Sequence, residues 1–474
     1  MPHLNLQALK LCDYRCFEVL DIDFHPQLTV LVATNGAGKT SVLDAVAVAF
    51  GPYVGAFDEA VGKHFEASDI RLFKVRETAS HEMEYAPKGV RLYARGFIPD
   101  SLIDSVSETH PSSTWHRALT GPTKAKTTIK DAKELIDYGK RLQEAVRTPG
   151  KVVLLPLLAY YGTGRLWQQK KLMASKKIQR TSRTIGYADC LDPASSYKAF
   201  VEWFRYWNLN AKETRIKAQE TGQRSTHTEF EGYIESVGNA VNICLEPAGW
   251  KDIEYSFTHD ALVAHHEQFG QLPVELLSDG IRNMIGMVAD IAFRATKLNG
   301  HLGATAAVHT PGIVLIDEVD MHLHPEWQQV VLQNLTRAFP AMQFIVTTHS
   351  PQVLTSVDAR CIRQLRQVTD PETGATVSVV APVTTQTRGV SSADLLARIM
   401  NVDPVPDVWE ARVLNDYQAL IQQNRHDSKD GQALRAQLVR HFGADHPVMR
   451  ECDRLIRLQG FKQRLPLTPG DAKG

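Results

Sequence analysis

A glycine-rich segment near the start of the chain has the residue types that hold a phosphate group. Residues 33–40 read Ala-Thr-Asn-Gly-Ala-Gly-Lys-Thr and follow an apolar run, an order that predicts strand, loop and helix. Gly36 and Gly38 let backbone N–H groups approach phosphate oxygens without Cβ clashes. We expect Lys39 to bind the β- and γ-phosphates of ATP and the Thr40 hydroxyl to bind Mg²⁺. The residues expected to line this site are Asn35, Gly36, Ala37, Gly38, Lys39, Thr40 and Ser41.

Two adjacent carboxylates close a second apolar run much later in the chain. Residues 313–318 read Ile-Val-Leu-Ile-Asp-Glu, which predicts a buried strand that ends at Asp317. We expect Asp317 to hold Mg²⁺ through water and Glu318 to polarise the attacking water. His349 follows another apolar run, at the end of a strand where α/β sheets bind ligands. We therefore expect His349 to donate to the γ-phosphate and to steady Glu318.

A short motif precedes the amphipathic helix predicted at 281–296. Residues 277–280 read Leu-Ser-Asp-Gly. Ser278 could cap this helix or donate to a phosphate, because both uses need the same geometry. In the presence of the other motifs, we expect Ser278 and Gly280 to reach the γ-phosphate of ATP bound to the opposite subunit.

The overall charge gives no argument for nucleic-acid binding. The chain has 474 residues, and its 53 Lys and Arg balance 53 Asp and Glu. The stretch 165–183 contains seven basic residues and no acidic one, so it predicts either a nucleic-acid surface or a solvated helix face. The basic residues are Arg165, Lys170, Lys171, Lys176, Lys177, Arg180 and Arg183.

Cysteine spacing and hydropathy favour a cytoplasmic protein. The six cysteines are scattered and form no paired zinc spacing, as expected of reduced thiols. No apolar run approaches the roughly 20 residues that span a bilayer, and the start of the chain lacks a signal pattern. We expect a cytoplasmic chain that makes no membrane contact.

The elements predict an α/β fold in which a phosphate-loop ATPase head is split by an insertion. We expect the head at 1–50 and 251–380, with apolar runs that form a parallel sheet covered on both sides. The inserted lobe, 51–250, is mixed at first and then helical, with one core strand near 152–160. Beyond residue 380 the sequence predicts a polar, helical extension, 381–474, which we expect to bind a partner because its helices are extra to the ATPase head.

The motif set as a whole resembles the ABC-type ATPases of the SMC, RecF, RecN and OLD group. Residues 1–50 and 270–357 carry this resemblance, which implies Mg²⁺ and ATP, head-to-head homodimers and two composite sites per dimer. Arg15 matches an arginine that these families often place near the nucleotide. The resemblance also implies a Mg²⁺-sensing glutamine, for which Gln168 or Gln169 is the candidate.

Two features that the sequence lacks limit which members of this group the chain can resemble. The insertion lacks sustained heptads, which argues against a long coiled-coil arm, and no Asp-x-Asp pair follows Asp320, which argues against a nuclease module in this chain. The segments 159–167 and 444–447 are similar to the PtuA-like ATPases of Septu anti-phage defence. This resemblance implies a separate HNH nuclease partner (PtuB-like), higher assembly beyond the dimer, and DNA contact through the complex.

Two other functions remain open from the sequence. A recombination ATPase of the RecF or RecN kind would bind DNA by itself, through the basic residues between 170 and 183. A binding module would hold ATP as a structural ligand with negligible turnover. If this second alternative is right, replacement of Glu318 changes nothing.

Overall fold

The computed structural model describes residues 3–74, 83–99, 112–123, 125–165, 182–193, 197–221, 228–369 and 376–464. Most of the basic stretch at 165–183 therefore lies outside the described residues. Both candidate glutamines, Gln168 and Gln169, also lie outside them. The chain divides into two compact units, Met1–Met400 and Asn401–Gly474.

The first unit contains all the described strands and the helices up to α10, and the last three helices form the second unit. The strands are β1 Asn5–Tyr14, β2 Phe17–Asp23, β3 Leu28–Val32, β4 Leu72–Lys74, β5 Met83–Tyr85, β6 Val90–Phe97, β7 Ser113–Leu119, β8 Leu157–Tyr161, β9 Trp250–Ser256, β10 Ala261–His266, β11 Gly270–Pro273, β12 Gly312–Ile316, β13 Met342–Thr348, β14 Ile362–Thr369 and β15 Thr376–Pro382. The helices are α1 Lys39–Val54, α2 Lys133–Arg147, α3 Tyr197–Glu220, α4 Glu229–Leu245, α5 Asp279–Leu298, α6 Ala306–His309, α7 Pro325–Gln328, α8 Val331–Ala338, α9 Pro351–Leu354, α10 Ser392–Arg398, α11 Trp409–Gln422, α12 Lys429–Phe442 and α13 Pro447–Arg464.

A six-stranded sheet forms the centre of the first unit, in the order β15-β14-β3-β13-β12-β8. The strands β14, β3, β13, β12 and β8 are parallel, and every residue of β8, β12 and β13 is buried. Runs of apolar residues suit a parallel sheet because helices cover both of its faces. The predicted α/β fold class is confirmed, and the carboxyl ends of β3, β12 and β13 bring the expected site motifs to one edge.

A second, antiparallel sheet has the order β2-β1-β6-β7. Its strands β6 and β7 lie inside the range 51–250 that the sequence assigns to an insertion, yet β6 pairs with β1 over most of its length. The burial pattern of β6 explains why it joins this sheet. Val90, Leu92 and Ala94 are buried, while the residues between them face outward. This period of two is typical of a sheet with one solvated face, so the head extends beyond residue 50.

The helices that flank the site are long and strongly packed. Helix α5 begins immediately after the Leu-Ser-Asp-Gly motif and buries most of its residues. Helix α3 spans 24 residues, and its second half is polar and largely exposed. No helix among the described residues has an apolar stretch long enough to cross a membrane.

The helical extension is split between the two units. Helix α10 belongs to the first unit, since Leu395 and Ile399 are buried in its main core and Gln364 Nε2 donates to the Ile399 carbonyl. Helices α11, α12 and α13 form the second unit around a small core of their own that includes Tyr417, Leu438 and Met449. An ion pair between Arg435 and Asp453, 2.7 Å, joins α12 to α13.

Candidate functional site

The phosphate loop between β3 and α1 is built on two left-handed glycines. Gly36 has φ +77° and Gly38 has φ +93°, a region that favours glycine. Around Gly36 the space is open to 4 Å, whereas a Cβ at Gly38 would lie 2.3 Å from Phe17 Cζ. Gly36 is therefore placed for a ligand to approach, and Gly38 is required because the turn between β1 and β2 packs against the loop.

Lys39 is held inside this loop. It is the first residue of α1 and is 6% exposed, and its Nζ donates to the carbonyls of Ala33 (2.9 Å) and Thr34 (3.4 Å). Burial lowers the pKa of the Lys39 ammonium, although Asp317 and Glu318 act in the opposite direction. The Lys39 ammonium thus donates to backbone carbonyls. A bound phosphate could replace these carbonyls as the acceptor of its hydrogen bonds.

Arg15 reaches the first turns of α1. Its Nη1 lies 2.6 Å from Asp44 Oδ2 and 3.5 Å from Ser41 Oγ, and its Nε lies 2.8 Å from Asp69 Oδ1. The φ of Arg15 is +48°, so the tight turn after β1 has a strained backbone. Two carboxylates therefore fix the guanidinium beside the phosphate loop.

The carboxylates after β12 meet the phosphate loop at the sheet edge. The Thr40 hydroxyl donates to Asp317 Oδ2 over 2.7 Å, although the two residues are far apart in the chain. Asp317 is 2% exposed. A hydroxyl and a carboxylate this close are the hard oxygen ligands that Mg²⁺ prefers. No cluster of three or more His, Cys, Asp or Glu side chains that could hold a metal ion is found in the described ranges.

Thr347, a residue that the sequence analysis did not single out, organises both carboxylates. Its hydroxyl donates to Asp317 Oδ1 over 2.6 Å and accepts the Glu318 N–H over 2.7 Å. Glu318 has φ +48°, a strained conformation for a residue with a Cβ, and this hydrogen bond holds it there. The sequence gives one indication of this role: Thr347 lies near the end of the strand that precedes His349.

Replacement of Thr347 by Val should lower ATP turnover about tenfold or more, because Glu318 would lose the contact that fixes its backbone. The Thr347 side chain is fully buried, so loss of its two hydrogen bonds should also lower the free energy of unfolding by about 1–3 kcal/mol. Steady-state ATPase assays and thermal melts measure both effects. Thr29→Val is the matched control, since Thr29 is equally buried in the same sheet but accepts only the His25 N–H. Equal turnover in the two variants would contradict the assigned role.

His349 follows β13 on the same edge as the carboxylates. Loss of part of its hydration lowers the pKa of its imidazole, and the Lys39 ammonium lowers that pKa further, against the effect of Glu318 and the other nearby carboxylates. The ring is therefore neutral at pH 7 and can donate from one nitrogen while it accepts at the other. Next to it, Ser350 caps α9 and the Thr348 hydroxyl donates to Asp320 over 2.5 Å.

Ser278 and Gly280 lie at the start of α5. Ser278 occupies the capping position of α5, is exposed and makes no capping hydrogen bond through its side chain. Gly280 is buried, and a Cβ there would lie 2.4 Å from the His322 carbonyl oxygen. The start of α5 is therefore pressed against the loop after Glu318, with an outward-facing hydroxyl at its positive end.

The basic stretch yields one correction. Arg183, counted there as a candidate for nucleic-acid contact, donates to the Val153 carbonyl (2.7 Å) and to Asn299 Oδ1 (3.0 Å) and so supports the fold. The stretch's lysines and Arg180, together with Gln168 and Gln169, lie outside the described residues.

Two protein-family models and several relatives match parts of this chain. A family model described as an AAA domain matches residues 8–231, and a second, described as an AAA domain, putative AbiEii toxin, Type IV TA system, matches 222–355. The Retron Ec83 probable ATPase of Escherichia coli is 25% identical over 94% of this chain and 86% of its own length.

Two further relatives match shorter segments. Septu protein PtuA of Bacillus mycoides is 42% identical over 78 residues, which are 16% of this chain and 10% of that protein. The DNA replication and repair protein RecF of an Exiguobacterium species is 30% identical over 91 residues, 18% of this chain and 24% of the relative. The chain is therefore similar to AAA-domain ATPases, to a retron probable ATPase along most of its length, and to PtuA and RecF over shorter segments.

Proposed function

We propose that this chain is the ATP-binding and ATP-hydrolysing subunit of a two-component anti-phage defence complex. The observation that carries the proposal is the convergence of Lys39, Thr40, Asp317 and Glu318 in a chain that is similar along most of its length to a retron ATPase. In this proposal ATP sets the geometry of a homodimer and of any higher assembly. That geometry gates an associated HNH nuclease that acts on DNA.

The roles of the binding residues follow from their positions. The backbone N–H groups of the loop from Asn35 to Ser41 and the N-terminus of α1 bind the phosphates. Lys39 neutralises phosphate charge once it leaves the loop carbonyls, and Thr40 and Asp317 hold the metal. Bound Mg²⁺ would supply charge neutralisation on the β- and γ-phosphates. Arg15 stabilises the turn beside the loop through Asp44 and Asp69.

Hydrolysis depends on a second set of side chains. Glu318 orients the attacking water and receives its proton, a role that suits a carboxylate just beyond the strand end that holds the metal ligand. His349 donates a hydrogen bond to the γ-phosphate from its neutral ring. Their closeness to Lys39, which contributes to the lowered pKa of His349, supports a shared reaction centre.

The second subunit completes each site in this proposal. Ser278 is exposed at the N-terminus of a 20-residue helix, where its hydroxyl and the first N–H groups can bind an anion. Gly280 allows α5 to sit close to the loop at His322. Two copies arranged head to head would present Ser278 and Gly280 of each subunit to the ATP of the other, as in an isologous dimer.

The second unit, Asn401–Gly474, is the proposed site for the nuclease partner. It has its own core and exposes large apolar side chains, among them Trp409 (58%) and Phe461 (63%). Exposed aromatic residues of this size are common in protein interfaces. An HNH nuclease of the PtuB kind is the partner that the PtuA resemblance implies, and the ATPase chain then needs no nuclease site of its own.

Removal of residues 401–474 should abolish partner binding while ATP binding is retained. The cut belongs after Met400, because α10 packs into the core of the first unit through Leu395 and Ile399. Tagged full-length chain, expressed with its neighbouring genes, should co-purify with a stoichiometric small HNH protein, and the shortened chain should not. Retention of the partner by the shortened chain would contradict the assignment.

A repair ATPase of the RecF kind is the second candidate, supported by the local similarity to RecF. It requires salt-sensitive DNA binding by this chain alone. The same purification separates the two proposals. A bound nuclease supports the defence complex, whereas recombination proteins, or tight DNA binding without a partner, support the repair ATPase.

A further inference from the structure

Two consecutive tyrosines end β8 and point to opposite faces of the central sheet, since side chains alternate along a strand. Tyr160 is directed toward α1, where Asp44 interacts with its hydroxyl. Tyr161 is directed toward α5, and its hydroxyl donates to Asp290 Oδ2 over 2.7 Å. Both rings are at most 3% exposed. One strand end is thus bonded to the helix of the phosphate loop and to the helix that follows Ser278.

The backbone of Tyr161 contacts the metal-binding side of the site. Its carbonyl accepts the Asp317 N–H over 2.8 Å, one residue beyond the β8–β12 pairing that ends at Ile316 and Tyr161. Tyr161 therefore contacts both the residue that holds the metal and helix α5.

The α5 end of this link is a rigid, buried ion pair. Asp290 is 3% exposed and Arg294 is 5% exposed, and Arg294 Nε donates to Asp290 Oδ2 over 2.8 Å. Arg294 Nη1 also donates to the carbonyls of Gly186 (2.9 Å) and Ala188 (2.8 Å). The Tyr161 hydroxyl stays protonated as a donor because burial and Asp290 raise the pKa of this phenol. The contact point on α5 has little freedom to move.

The position of Ser278 depends strongly on the contact at Asp290, because the two residues lie far apart along α5. Asp290 lies twelve residues after Ser278, about 18 Å along an α-helix. A tilt of α5 by about 3° around Asp290 therefore moves the Ser278 end by ~1 Å. Displacements of that size lower the rates of reactions that depend on aligned groups, by up to roughly 100-fold.

We propose that Tyr161 is a positioning residue that couples Asp317 of one subunit to helix α5, and so sets where Ser278 meets the site of the other subunit. This inference rests on the proposed function, in which Ser278 acts across the dimer. Tyr161 acts through Asp317 and Asp290 and has no assigned role in binding nucleotide or metal. It transmits the position of the metal-binding strand end to the helix that completes the neighbouring site.

Tyr161→Phe tests the coupling, because it removes only the hydroxyl. ATP affinity of the full-length protein should stay within about twofold, since the phosphate loop is untouched, while kcat falls about tenfold and ATP-dependent dimerisation weakens. Tyr187→Phe is the matched control. Its hydroxyl is equally buried and donates to the Pro156 carbonyl over 2.7 Å, without contact to Asp290. The control should melt at a lower temperature but keep its kcat.

A second variant keeps the test decisive if Tyr161→Phe folds poorly. Asp290→Glu retains the buried charges and lengthens the contact by one methylene, so it should also lower kcat with little change in ATP affinity. Normal kcat and normal dimerisation in a folded Tyr161→Phe or Asp290→Glu protein would overturn the inference.

Ser278→Ala separates this inference from the function on which it rests. If Ser278→Ala loses turnover and Tyr161→Phe does not, the coupling is wrong and the shared site stands. If Ser278→Ala keeps full turnover, the proposal of a site shared between subunits is wrong, and Tyr161 then has no catalytic group to position through α5. Loss of turnover in both, with ATP affinity retained, supports both claims.

Discussion

Replacement of Glu318 by Gln is expected to lower ATP turnover at least about 100-fold while ATP binding is retained. The amide keeps the shape of the side chain and can still contact water, but it cannot receive the proton. Because ATP would then persist between two subunits, the variant should accumulate as an ATP-bound dimer. Phosphate release assays and size-exclusion chromatography with and without ATP measure the two effects.

Glu326→Gln is the matched control for this experiment. Glu326 is an exposed carboxylate in the first turn of α7, eight residues after Glu318, and its replacement should change neither turnover nor dimerisation. Unchanged turnover in Glu318→Gln would support the alternative in which ATP is only a structural ligand. Loss of ATP binding would instead show that Glu318 is needed to form the binding site.

Arg294→Met should give the largest loss of stability, about 3–5 kcal/mol, because it leaves the buried Asp290 carboxylate without its cation. Two carbonyls, those of Gly186 and Ala188, would also lose their donor. Chemical denaturation of the variant and the wild type measures the difference in free energy of unfolding.

The double variant Asp290→Leu/Arg294→Met tests the cause of that loss. Replacement of both partners of a buried ion pair by apolar residues is often nearly neutral, so at least about half of the lost stability should return. Recovery should be incomplete because Tyr161 would lose its acceptor. A loss below about 1 kcal/mol in the single variant would mean that the pair does not stabilise α5.

The site motifs could be predicted because their local sequence is tied to chemistry. The apolar run before the phosphate loop forms β3, and the carboxylates at 317 and 318 lie where another apolar run ends. The helices after Ser278 and in the C-terminal region were also visible, since each has a clear apolar period. Parallel strands that end at one edge then bring distant motifs together.

Other features depend on contacts that a single sequence does not reveal. The antiparallel sheet was missed because β1 pairs with β6 across about 80 residues, and only that pairing shows that 90–119 belongs to the head. Thr347 and Tyr161 carry no motif of their own. Their roles follow from hydrogen bonds to Asp317, Glu318 and Asp290, residues at least 29 positions away along the chain.

Mixing two inactive variants tests the shared site, the central claim, most directly. Ser278→Ala and Lys39→Ala should each have little turnover alone. A mixed dimer has one intact site, formed by the phosphate loop of the Ser278→Ala subunit and Ser278 of the other. Turnover of an equimolar mixture should recover to about a quarter of the wild-type value, because half of randomly assembled dimers are mixed and each has one intact site of two. Turnover that stays at the mean of the separate variants would show that each site is complete within one subunit and would contradict the account.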